Sequence, residues 1–372
     1  MGVMSNITNE IKKASLGDIE LEQISIGIIP LLPTNIVMGY KPIDVTYDSN
    51  NNITSNNVTM QTLEDIQYNL NILKTWANDS LSLPVPTFKV NNMDDLNDWK
   101  TNAPGNDYTH VLITYNGMSS TDPEFILNLD TVGTKTIIGE NNANFSLSLT
   151  ANSPKTDTII KDLKFVHGFN WNNNNHYIIN NLKNIRDIIL DVDIGLSSTD
   201  KETTIFKNCD NIANITGKFT IRFTGGLTRD PHIFKGSNYI YNVKCSMHKE
   251  RSGNEWGCVS MFKNSNYLLK CVVTDITQNS NTWGYSSPLV FRSCNFLWDN
   301  SVQRIDNIGS LNYLGTSAHG SCFRICKWMF DNTAYKFPSQ PYQSIYECYN
   351  SNNNSNPIND TNSEGNNTIL EN

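Results

Sequence analysis

Long hydrophobic runs are missing from this 372-residue chain. The longest apolar strip, Ile24 to Leu32, contains Pro30 and is too short to cross a bilayer, so no membrane insertion is expected. No apolar core follows the early lysines, so no secretory signal is expected either. Charge is sparse: 28 Lys and Arg stand against 36 Asp and Glu, a net of -8, and the basic residues form no sustained run. Neutralising a phosphate backbone needs such a field, so nucleic acid is not an expected partner. Zinc-type spacing is also lacking. Eight cysteines (Cys209, Cys245, Cys258, Cys271, Cys294, Cys322, Cys326, Cys348) give no pair of Cys-x-x-Cys clusters, and the six histidines show no His-x-x-x-His. No metal or other cofactor is expected. An even count admits four disulfides in an oxidising setting; the favoured reading is reduced cysteine packed as a small hydrophobe. No Gly-x-Ser-x-Gly elbow or phosphate-cradling glycine loop occurs, which removes acyl and phosphoryl transfer.

What is abundant is asparagine, about one residue in seven, far above ordinary usage. The middle of the chain puts it to structural use. A ten-residue phrase recurs from Ile179, Phe206, Phe234, Phe262, Phe291 and Phe323, at steps of 27, 28, 28, 29 and 32 residues. Its first column is always apolar, as is the seventh (Ile185, Ile212, Ile240, Leu268, Leu297, Met329). The fourth (Leu182, Cys209, Ser237, Ser265, Cys294, Cys326) is small in five copies and suits a tight interior corner. The fifth (Lys183, Asp210, Asn238, Asn266, Asn295, Lys327) is polar and is expected to take the left-handed turn that Asn and Asp tolerate. One such coil cannot bury its own face; stacked coils can, and Asn at a corner adds amide ladders. The period therefore predicts an all-β parallel solenoid with coils of about 28 residues.

With its asparagine-containing corners, FKNSN and FRSCN, the repeat resembles the right-handed parallel β-helix superfamily, the fold of pectate-lyase-like enzymes and of many phage tailspikes and tail fibres. The resemblance covers about half the chain. Coils of this length imply a corner expanded into a loop before each Phe, at Thr224 to Pro231, His248 to Gly257 and Gln278 to Ser287.

Four regions are expected. Residues 1–85 form a small head for attachment, with a helix over Thr59 to Asn78 whose Leu63, Ile66, Leu70, Leu73 and Trp76 make one apolar stripe. That stripe either packs on the first coil or serves trimerisation or anchoring. Residues 86–157 supply a capping helix (MDDLNDWKTN) and entry coils, 158–350 the regular coils, and 351–372 an Asn- and Ser-rich disordered tail.

Chemistry is thinly marked. Asp191 and Asp193 share a strand face by two-residue alternation and are the best carboxylate pair for glycoside hydrolysis, which needs separations of about 5 Å or about 6.5–9.5 Å. Asp230, beside Arg229 and His232, is the other catalytic candidate. Trp256, Trp283 and Tyr285 fall in polar expansion loops of consecutive coils, where rings stack on sugar faces and Asn, Asp and Arg bond hydroxyls; they are the carbohydrate-binding candidates, with core or trimer contact as the competing role. The resemblance implies a tail fibre or receptor-binding protein of a virion or phage-like particle, made without a signal peptide. It would be homotrimeric, held to a particle or baseplate protein through its head, and contact cell-surface polysaccharide without catalysis. A tailspike-like polysaccharide depolymerase (glycosidase or lyase) and a bacterial surface adhesin are the alternatives.

Overall fold

The computed structural model describes residues 39–48, 53–54, 58–80, 84–101, 106–118, 125–155, 157–167, 170–171, 175–196, 202–223, 231–251, 260–279, 289–306, 321–336, 344–350, 357–358 and 364–370, with short strand pairs between 10 and 25. The chain is a parallel β-helix. Two parallel ladders climb it together. One holds nine short strands, from Phe125–Asn128 through Glu202–Lys207 and Ser321–Arg324 to Ile345–Tyr346. The other begins at Phe88–Val90 and includes four long strands, β1 (Lys183–Leu196), β2 (Asp210–Phe223), β3 (Asn238–Arg251) and β4 (Asn266–Asn279).

The repeat columns lie directly above one another. Ile179, Phe206, Phe234, Phe262, Phe291 and Phe323 are consecutive register partners. From Phe206 upward the rings stack at centroid distances of 4.9, 4.9, 4.6 and 4.8 Å, which is the strand spacing itself. The seventh column is wholly buried. In the fourth column, Cys209, Ser265, Cys294, Cys326 and Cys348 each turn inward and donate to the carbonyl two residues back. A small side chain with one weak donor is what that corner takes. Seven cysteines are buried free thiols; Cys258 lies outside the described residues.

The left-handed corners differ from expectation. They fall in the third, sixth and ninth columns: Asn208, Asn211 and Asn214 in one coil, Asn264, Tyr267 and Lys270 two coils on. The fifth column stays extended and forms the amide ladder instead. Asn238 donates to Asp210 (3.1 Å), Asn266 to Asn238 (3.0 Å) and Asn295 to Asn266 (2.8 Å). A second, fully buried ladder climbs Asn300, Asn332 and Asn367, where the lower coils have Ile188, Ile215 and Val243. Gly217 is required at its position: at φ +126° its missing Cβ would lie 2.0 Å from the Leu190 carbonyl oxygen one coil below.

Helix α1 (Met60–Asn78) forms where the sequence predicts and is capped by Thr59, but it does not sit on the first coil. It lies along the outer wall of β2, β3 and β4. There Leu63, Ile66, Leu70, Leu73 and Trp76 bury against Ala213, Tyr241, Tyr267, Phe296, Trp298 and Trp328. Trp298 and Trp328 are thus buried outside the solenoid rather than within it. Helix α2 (Met93–Thr101) precedes the first regular coils, its Trp99 indole donating to Thr134. In the tail expected to be disordered, Thr368–Leu370 pairs in parallel with Thr333–Tyr335, and Ile358 pairs with Cys348. Asn367, continuing the buried ladder, is what holds that segment to the last coil.

A candidate binding cleft on the outer wall

Along β2, β3 and β4 the inward positions Phe219, Ile221, Met247 and Ile276 are buried, so alternation turns Lys218, Arg222, Ser246, His248, Glu250, Asp275 and Thr277 outward. Register sets Lys218 beneath Ser246 and Asp275, and Thr220 beneath His248 and Thr277. Three coils thereby build one wall of a cleft of about 320 Å³. Lys249, between two outward residues, points inward and is buried.

The polar groups are tied into a network. Arg222 donates bidentately to Asp193 (Nε–Oδ1 and Nη2–Oδ2, both 2.8 Å) and through Nη1 to Glu250. Asp193, then Glu250, raises the Arg222 pKa above its ordinary value. His248 shares a hydrogen bond through Nδ1 with the Thr277 hydroxyl and faces Glu250 through Nε2 at 3.5 Å. Asp191 is exposed and pairs with Lys164 of the coil below at 2.8 Å.

Of the residues singled out in the sequence, Asp193 therefore borders the cleft through Arg222, whereas Asp191 is tied to the neighbouring coil. Asp230, Trp256, Trp283 and Tyr285 lie outside the described residues. β3 and β4 run straight into 252–259 and 280–288, the segments that carry Trp256, Trp283 and Tyr285. Sequence reading missed Arg222, Glu250, His248 and Thr277 as a group, because they sit on three successive coils, 26 to 29 residues from one coil to the next, and meet only once the coils stack. The usable signal was the alternation in KFTIR and SMHKE, polar at every second position.

Among the described residues no three His, Cys, Asp or Glu side chains gather into a metal-binding group, and no helix is long and apolar enough to cross a membrane. Compared with protein-family models, curated proteins and solved structures, the chain finds no match in any of the three.

Proposed function

We propose that this chain is a receptor-binding solenoid of the tail-fibre kind, which holds a cell-surface glycan in the outer-wall cleft without cleaving it. The observation that carries the reading is the cleft itself. Hydroxyls (Thr220, Ser246, Thr277), a carboxylate pair and basic groups repeat along it at the coil spacing, on a rigid backbone. A saccharide presents hydroxyls on every ring, and a preordered polar wall bonds several of them at little cost in ordering. Assembly as a homotrimer and attachment to a particle through residues 1–85 belong to the same proposal by analogy of fold alone.

A depolymerase is the second reading, favoured by Asp193 and Glu250, which both hold the Arg222 guanidinium and so border one cleft as a carboxylate pair. One experiment separates the two: purified polysaccharide from a host surface is presented to the full chain, with bound polymer and newly released reducing ends measured in parallel. Binding without release supports the fibre reading. Release that Asp193→Asn and Glu250→Gln abolish establishes the depolymerase, and neither binding nor release removes both.

A further inference from the structure

The fourth column of the repeat ends in three sulfurs. Cys294, Cys326 and Cys348 stand on consecutive coils, because the residues on either side of them are register partners: Arg292, Arg324 and Tyr346 before, Asn295, Lys327 and Tyr349 after. They are 32 and 22 residues apart in the chain, which hides them from any search for metal-ligand spacing. All three are free thiols and wholly buried. Each takes the same orientation, donating to the carbonyl two residues back at 3.4, 3.5 and 3.4 Å, so the sulfurs repeat at the coil spacing of about 4.8 Å.

The corner itself does not require sulfur. Lower in the column Ser265 makes the same bond to the Lys263 carbonyl, and Ser237 and Ser265 each accept from the backbone N–H of the coil below, as the Cys348 sulfur accepts from Cys326 N–H at 3.4 Å. A hydroxyl thus serves where a thiol does, while the top three copies all carry a thiol. These thiols act on one another. Burial raises the pKa of Cys294 and Cys348 and opposes ionisation of Cys326 as well; against it, the two outer thiols hydrogen-bond to Cys326 and hold it below its ordinary value, which favours thiolate at the centre of the row.

We infer that this row is a binding site for a soft monovalent cation of the Cu(I) class, held linearly between the Cys326 sulfur and that of Cys294 or Cys348. Thiolates select such ions. A metal–thiolate bond is about 2.3 Å long, and two laid end to end span about 4.6 Å, close to the coil spacing. Sulfurs in a line do not surround a point, so the row suits a two-coordinate ion and not tetrahedral Zn(II), in keeping with the lack of a three-ligand group among the described residues. One ion displaces the protons of two thiols; a second, on the other side of Cys326, displaces the third, and no oxidation state changes. Cys348 follows the last strand of the nine-stranded ladder, Ile345–Tyr346, so the ion enters by local opening at that end of the stack. The inference does not rest on the cleft's ligand.

The test titrates the full chain, reduced and metal-free, with Cu(I) under anaerobic conditions against the chromogenic chelator bicinchoninate, following ions bound per chain and near-ultraviolet thiolate-to-metal absorption. The row predicts one or two Cu(I) per chain, an affinity that rises with pH because protons are released, a higher melting temperature, and no comparable retention of Zn(II). Cys326→Ser, which puts in the row the residue type of Ser237 and Ser265, is expected to keep the fold and weaken Cu(I) binding at least tenfold. Cys294→Ser and Cys348→Ser combined, for use should that variant not fold, leave Cys326 without a neighbouring sulfur and are expected to do the same. Cys209→Ser should bind as wild type does. Failure to hold Cu(I) against the chelator, undiminished binding by the folded variants, or Zn(II) held as tightly as Cu(I) would overturn the inference.

Discussion

Asn332 is buried and makes bonds in three directions: its amide donates to the Leu297 carbonyl (3.0 Å) and to Asn367 (3.0 Å), and its Oδ1 accepts from Asn300 (2.9 Å). Asn332→Ala strands groups on both neighbouring coils, and each unsatisfied buried polar group costs about 1–3 kcal/mol, so a loss of about 2–4 kcal/mol is expected in denaturant unfolding. Thiols form the other interior population. Burial pushes the Cys245 thiol up to about 12 and raises Cys209 and Cys271 as well, which suppresses the reactive thiolate. Alkylation at pH 8 should leave these three unmodified in the native chain and modify them in denaturant; rapid native reaction would contradict their placement. His232 titrates in the opposite sense. It is buried, its ring bonds the Ser260 carbonyl, and burial lowers its pKa below the ordinary value of about 6.5. Between those two values the unfolded chain binds a proton that the folded chain does not, so stability falls as pH drops below about 6.5. The melting temperature should be lower at pH 5 than at pH 7, and His232→Asn should narrow the difference; His110, lowered by burial too, keeps part of it. At this scale the sequence disclosed which columns face inward, because apolar residues recur there. It did not disclose the left-handed positions. In the sixth column these are Asn184 and Asn211 but then Tyr239, Tyr267, Phe296 and Trp328, bulky residues that ordinarily avoid positive φ at a cost of about 1–2 kcal/mol each.

Those bulky residues are explained by the helix that covers them. Tyr239 packs against Tyr40 with the rings tilted at 34° (4.6 Å) and stacks on Tyr267 (4.5 Å), and the Tyr47 and Tyr267 hydroxyls share a hydrogen bond of 2.6 Å. Asn69 of α1 bonds both backbone groups of Lys41 and the Tyr239 hydroxyl, so the strap 39–48 and the helix dock as one unit. The C-terminal carbonyls of the helix are taken up by the wall: Arg186 bonds those of Trp76 and Asp79, and Asn214 that of Ala77. These are the groups that a helix end otherwise leaves unsatisfied. Arg186→Ala should therefore raise hydrogen exchange across residues 60–78 while the inner strands of β2 and β3 remain protected; equal protection in wild type and variant would show that Arg186 does not anchor the helix. The apolar stripe of α1 was legible in the sequence from its three- and four-residue steps. Its destination was not, since the complementary face is assembled from residues more than 100 positions away, one or two per coil.

Stacking converts distant residues into local surfaces, and that governs what the whole molecule offers a partner. The repeat's second column is an example: no run of Lys or Arg exists in the sequence, yet Lys207, Lys235, Lys263, Arg292 and Arg324 line up once the 28-residue period is closed into coils. The cleft arises the same way, from Asp193, Arg222, Glu250 and His248 on three successive long strands. The solenoid was legible because a fixed period with apolar columns has few other solutions. Its ligand surfaces were less so, because outward positions face no packing constraint that would stamp a pattern on the sequence. The central functional claim is that the cleft holds glycan. Its most direct test is calorimetric titration of a bound host-surface oligosaccharide into the full chain and into Thr220→Val, Arg222→Gln and Thr277→Val. The account predicts affinity at least tenfold weaker in each variant, with melting behaviour retained. Binding that is indifferent to all three would place the glycan elsewhere and contradict the claim.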